Sequence, residues 1–209
     1  MSESLSTDQR VALLESRVNH LEDALAQFLA GSSGALPAKL IASSPVMPDV
    51  FGAFGGDWFD ATGFAVLYNN NTAYHTGADL NLPAYKDSGR PVYAAADGVC
   101  RFAGTVTGWQ GQVVVIEHVD VGALVWTRYA HIVIGSDFVC DGKPIKRGQP
   151  LGYIADYNKD GPKGDHVHFD VGLLNLGEDP GNWPGLNLAL LKRTYTVTYF
   201  FSVNVVLLC

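Results

Sequence analysis

The chain contains no run of the roughly 18–20 apolar residues that a bilayer-spanning helix needs. Its first ten residues, MSESLSTDQR, carry neither the basic stretch nor the apolar stretch of a secretory signal. No transmembrane helix and no signal peptide are therefore expected, and export would depend on some other carrier. Basic residues are few: 14 Lys and Arg stand against 21 Asp and Glu, for a net charge of −7. Nucleic acid requires a basic face, so that class of partner is not expected. Cysteine is scarce as well. Cys100, Cys140 and Cys209 are too few for a disulfide scaffold and odd in number. They are expected to be reduced and to behave as small apolar side chains. What is left, 209 residues of which 47% are hydrophobic, suffices for one good core with appendages.

Four regions follow one another. In residues 1–30, Val11, Leu14, Val18, Leu21, Leu25 and Phe28 recur by threes and fours, which predicts a heptad helix. Ser6 followed by Gln9 fits a capping box. Arg10 and Arg17 fall at g, and Glu15 and Glu22 at e, so parallel copies can pair charges. His20, at c, is expected in solvent. Residues 31–49 are rich in Gly, Ser, Ala and Pro and read as a linker whose apolar residues can clip onto the next domain. Residues 50–190 hold short β-like runs, PVYAAA, QVVVIEHV, LVWTRYAHIV and HVHFDV, between turn signals such as Asp97-Gly98 and Asp141-Gly142. No amphipathic helix interrupts them, so a mainly β, antiparallel domain is expected. Residues 191–209 form an apolar tail in which Tyr195, Val197, Tyr199, Phe201, Val203, Val205 and Leu207 take every odd position, the period of a strand with one buried face.

The histidines are the chemical signal. In HVHFDV, His166 and His168 are two apart, so on a strand they share one face while Val167 and Phe169 face the core. In HTGADLNL, Asp79 starts a strand and His75 lies in the turn before it, which can bring the two together. Zinc takes nitrogen and carboxylate ligands, and a catalytic site keeps one position for water. His75, Asp79 and one of His166 and His168 would supply three ligands; spacing does not choose between the last two. His131 in WTRYAHIVI can enter the same site. His118, at a strand end, reads as structural.

HTGAD (75–79), GRPVYAAADGVCRFAG (89–104), GQVVVIEH (111–118), YAHI (129–132), IKRGQPLGYI (145–154) and HVHFDV (166–171) stand in the order found in lysostaphin-type (LytM-like) zinc endopeptidases. The resemblance covers about 70 to 175. It implies a small antiparallel β fold with a narrow groove. It implies Zn2+ held by His75, Asp79 and His168, with His131 and His166 as the catalytic pair that moves protons and hydrogen-bonds the tetrahedral oxyanion. The substrate it implies is bacterial peptidoglycan, cut in the stem or the cross-bridge. Some members have lost ligands and act as regulators, whereas here every ligand position is filled. Asp165 or Asp170 is expected to orient a ligand imidazole. The loops 104–112 and 153–165 are expected to wall the groove, with Trp109 and Tyr157 facing substrate.

The family does not explain the heptad helix or the apolar tail. Together with the unexported N-terminus they suggest a phage virion, at the tail tip or knob. The alternatives are a catalytically silent assembly module on the same fold and a holin-released endolysin. The helix is expected to join two or three copies, and the tail either to dock on virion tail proteins or to fold back as an extra strand on its own domain, because a long apolar strand edge is an aggregation hazard by itself. Light scattering should therefore give a mass of two or three chains for the full sequence and a smaller one once 1–30 is removed. A monodisperse monomer, unchanged by removing 1–30 or 192–209, would exclude this assembly.

Overall fold

The computed structural model describes residues 43–49, 56–68, 73–85, 87–118, 125–140, 142–156, 164–172, 175–181 and 200–201, all within the unit Pro37–Cys209. The heptad segment, residues 31–42 of the linker, Tyr157, Cys209 and all of the tail except two residues lie outside them. In chain order come β1 (Phe59–Asp60), β2 (Leu67–Tyr68), β3 (Ala73–Tyr74), β4 (Ala78–Asn81), a 3-10 turn (Pro83–Tyr85), β5 (Pro91–Tyr93), β6 (Gly98–Gly104), β7 (Gln112–His118), β8 (Val125–Ile134), β9 (Pro144–Ile145), β10 (Pro150–Ile154), β11 (Val167–Gly172) and β12 (Phe200–Phe201). Among the described residues no helix is long and apolar enough to cross a membrane.

One sheet runs β1-β4-β11-β8-β7-β6-β9, with β10 joining β8 to β5 and β12 added to β11; β2 and β3 form a separate pair. Every pairing is antiparallel, as the alternating runs and short turns imply. The end of the linker does clip on. Ser43 Oγ donates to the Ala95 carbonyl and Tyr93 N–H to the Pro45 carbonyl. In the tail, Phe200 and Phe201 pair with Gly172 and Val171 of the same domain.

The unbroken apolar run of β7 is explained by a core on each side of it. Val114 and Ile116 enter a large core with Leu80, Tyr129, Ile132, Val167 and Phe169. Val113 and Val115 enter a smaller one with Trp126, Ala130 and Leu176. A strand buried on both faces has no polar alternation to show.

In β8 the alternation slips. Trp126 and Ala130 face the smaller core, Val125 and Tyr129 the larger, and then Ile132 joins the larger core out of phase. Opposite, Gln112 pairs with Ile132 and Val114 with Tyr129. Two steps on β7 thus face three on β8. The extra residue makes a β-bulge, with His131 in the left-handed region at φ 63°. Bulges re-aim a side chain, and they cluster beside functional sites.

The cysteines correct the sequence-based expectation. Cys100 and Cys140 form a disulfide, with Cα atoms 5.2 Å apart. They are 40 residues apart in sequence. They meet because β6 pairs with β9 and the Cys100 N–H donates to the Lys143 carbonyl, which draws the segment around 140 alongside β6. That separation suits a bridge.

Between β3 and β4, Gly77 lies flat on β11. A Cβ there would overlap the Phe169 carbonyl and come 2.5 Å from Asp170 Cβ. Neither backbone can yield without shifting the strand that carries His168. Gly77→Ala should therefore cost roughly 1–3 kcal/mol of overpacking, or about 2–12 °C in Tm for a domain of this size. Thermal unfolding followed by circular dichroism checks this, and an unchanged Tm would show that β11 is not seated on Gly77.

Candidate functional site

Sheet register builds the site. Asp79 on β4 stands opposite His168 on β11, and His168 stands opposite Ala130 on β8. Directly opposed residues share a face, so this row lies on the face away from the large core, into which Val167 and Phe169 point. His75 is fixed from its backbone. Its N–H donates to the Val66 carbonyl and its carbonyl accepts from Ala65 N–H. His75, Asp79 and His168 are all buried.

Three atoms converge there. His75 Nε2 is 3.0 Å from Asp79 Oδ1 and 3.0 Å from His168 Nδ1, and His168 Nδ1 is 3.1 Å from Asp79 Oδ1. The outer ring nitrogens decide where the protons sit. His75 Nδ1 lies 3.2 Å from the Gly63 carbonyl, an acceptor only, and so carries the proton. His168 Nε2 lies 2.9 Å from Asp170 Oδ2 and carries its proton likewise. Both neutral imidazoles then turn bare lone pairs inward, toward each other and toward a carboxylate oxygen. Three acceptors at this spacing repel one another unless a positive charge joins them.

Without a metal, a proton supplies that charge. Burial opposes a charged His168 ring, but the hydrogen bonds it donates to Asp170 and Asp79 outweigh that and raise the pKa. Burial also opposes the Asp79 carboxylate, yet the close imidazoles of His166, His168 and His75 hold its pKa well below the usual range. A metal ion would displace that proton, the usual linkage at such sites. The donor set, two nitrogens and one carboxylate oxygen with the remaining coordination left to water, fits catalytic zinc. These are the residues among those described that could hold a metal.

Two further histidines border this cluster. The bulge aims His131 so that its ring centroid lies 4.7 Å from that of His166 and 6.4 Å from that of His168. Gly111, at φ +70°, lets the preceding loop lie against the His131 backbone. His131 Nδ1 donates to the Gln110 carbonyl at 2.8 Å, which leaves the lone pair on Nε2. Burial first, then the charges of His166 and His168, push its pKa down to about 3, so the ring is uncharged at pH 7. His166 sits at the rim. Its Nδ1 donates to the Gly164 carbonyl and its Nε2 lies 3.3 Å from Asp79 Oδ1.

Trp109, expected to face substrate, stacks on His131 at 5.6 Å between centroids and meets His168 edge-on at 5.5 Å. Tyr157 lies outside the described residues. Of the two carboxylates expected behind a ligand imidazole, Asp170 is the one that meets His168; its charge, opposed by burial, is held chiefly by the buried Arg128. His118 is structural as expected, bound to the Asp97 carbonyl and the Thr127 hydroxyl. The sequence reading missed Thr76, Asp60 and Arg128. Thr76 donates to Asp170 Oδ2 at 2.6 Å. Asp60 Oδ1 accepts from Asp79 N–H, and burial, with the Asp79 charge, raises its pKa to about 6. Only Arg128 had left a signal, a charge inside the apolar run VWTRYAHIVI, where such residues are rarely buried without a partner.

No curated protein matches this chain. Similar solved structures include Csd3 of Helicobacter pylori (25% identity, TM-score 0.40, 55% of this chain and 29% of that chain) and lysostaphin from Staphylococcus simulans (20%, 0.43, 56% and 43%). A third is the catalytic domain of the prophage-encoded M23 protein EnpA from Enterococcus faecalis (24%, 0.43, 58% and 85%). The likeness thus spans less than half the length of Csd3 and of lysostaphin. Residues 73–180 match peptidase family M23, and the chain belongs to that family.

Proposed function

We propose that this chain is a zinc-dependent endopeptidase that cleaves peptide bonds in the stem or cross-bridge of bacterial peptidoglycan. The observation that carries the reading is the convergence of three inward lone pairs, on His75, Asp79 and His168, beside two further imidazoles. Membership of a peptidase family supports the reaction class and the substrate. Zinc, when bound, supplies a Lewis acid and a water acidified to near neutrality.

The chain's own residues do the rest. His75, Asp79 and His168 hold the ion, and Asp170 fixes the tautomer of His168. His131, neutral and with its lone pair on Nε2, accepts the proton of the attacking water and returns it to the leaving amine. His166, at the rim, hydrogen-bonds the developing oxyanion. Trp109 covers His131 on one side and keeps bulk water from it.

Five alanine variants test the assignment. His75→Ala, Asp79→Ala and His168→Ala should each lose zinc by elemental analysis. His131→Ala and His166→Ala should keep it while hydrolysing purified peptidoglycan slowly, with His131→Ala down by about 10²–10⁴-fold. Zinc retained in His168→Ala but lost in His166→Ala would exchange those two roles, and unchanged hydrolysis in His131→Ala would make that residue structural.

We further propose that the enzyme acts from a phage particle. The heptad segment 1–30 supports this, as a segment suited to joining copies, and the apolar tail 191–209 offers docking surface beyond Phe200 and Phe201, which pair with β11 of the same domain. Mass spectrometry of purified virions should find the chain at constant stoichiometry. Its presence only in the lysate supernatant would favour a released endolysin instead.

A further inference from the structure

Arg128 is fully buried on β8, in a row next to the site. Its edge grips Asp170: Nε donates to Oδ1 at 3.2 Å and Nη2 to Oδ2. Nη2 also donates to Thr76 Oγ1 at 3.3 Å, and Nη1 to the Pro180 carbonyl at 3.0 Å. Its face does something else, for the guanidinium carbon lies 4.6 Å from the centroid of Trp109.

The edge leads to the His168 half of the site, and the face leads through Trp109 chiefly to the His131 half, with an edge-on contact to His168 as well. Asp170 Oδ2 accepts from His168 Nε2 at 2.9 Å, so the edge leads to the inward-facing nitrogen of His168. Trp109 stacks on His131, so the face leads to the proton-transfer imidazole. Trp109 belongs to the loop between β6 and β7, where Gly108 and Gly111 both have positive φ. Its ring is only half-buried, and the guanidinium is a specific anchor for it.

Stability does not account for the pair. Burying an arginine and a carboxylate costs about as much in desolvation as their attraction returns, and apolar replacements are often as stable. The one side chain that can supply a carboxylate fork and an aromatic-stacking plane at once is arginine.

We propose that Arg128 is a positioning residue that couples the two halves of the site. With its edge it sets Asp170, and through it the orientation of His168. With its face it holds Trp109 against His131. This rests on the zinc-peptidase reading for the identity of the two halves.

The test compares Arg128→Lys, Trp109→Leu and the double variant in the full chain. Zinc affinity is measured by chelator competition, and kcat and KM on a peptidoglycan-derived peptide at saturating zinc. Arg128→Lys keeps the charge but loses fork and plane. It should bind zinc about 10–100-fold more weakly, the usual effect of removing a partner behind a metal ligand. It should also lose kcat at saturating zinc with little change in KM. Trp109→Leu should lose kcat and, because Trp109 also meets His168 edge-on, should weaken zinc binding far less than Arg128→Lys does. In the double variant the two kcat losses should not multiply, because both act on His131 through one contact. Wild-type zinc affinity in a folded Arg128→Lys, or kcat losses that multiply fully, would overturn the proposal. Should Arg128→Lys fail to fold, Trp109→Phe decides: it keeps a stacking ring and should recover much of the kcat lost in Trp109→Leu, and no recovery would overturn the coupling. A wild-type chain that binds zinc but leaves peptidoglycan intact defeats the functional reading, while the zinc-affinity comparison still tests Arg128.

Discussion

Lone pairs that face one another inside a protein repel, and the neighbourhood of His75, Asp79 and His168 is organised around holding that repulsion in place. The Gly63 carbonyl and the Asp170 carboxylate keep the protons on the outer nitrogens. The flat seat of β11 on Gly77 fixes the strand that carries His168. The pairing of β4 with β11 sets Asp79 opposite it. Remove the positive charge that joins the three atoms and they either take up a proton or separate. Such a cluster is one that could hold a metal ion.

The bulge in β8 answers a different demand. A regular strand would carry His131 out of phase with the row that contains His168. One extra residue, in a left-handed conformation that side-chain-bearing residues seldom adopt, turns the imidazole toward the cluster, and Gly111 makes room for its backbone. The strain is local, and the strand on either side is buried in two cores that hold it in register. Fold stability and site geometry meet at this one residue.

Much of this was legible in the sequence. The β runs, the glycine turns and the shared face of His166 and His168 follow from a period of two and from backbone chemistry. His75 and Asp79, four apart across a turn, do come together, at 3.0 Å. Other features were hidden for physical reasons. Cys100 and Cys140 were taken as reduced because a count of three says nothing about which strands become neighbours. Asp60 is 19 residues from Asp79 and carries no local pattern. Trp109 was read as facing substrate, but which of its surfaces meet Arg128 and His131 depends on a loop whose path no periodicity predicts.

The sequence by itself determined the residue types, the strand periodicity and the local spacings, because these depend on covalent geometry within a few residues. Only the tertiary structure decided which nitrogen of each imidazole faces inward, that His168 rather than His166 completes the triangle of close contacts with His75 and Asp79, and that a buried arginine stands behind both halves of the site. Those facts depend on contacts such as His75 with His168, across 93 residues. Such contacts exist only once antiparallel pairing has fixed the register, and a shift of one residue would have turned every one of these side chains to the other face.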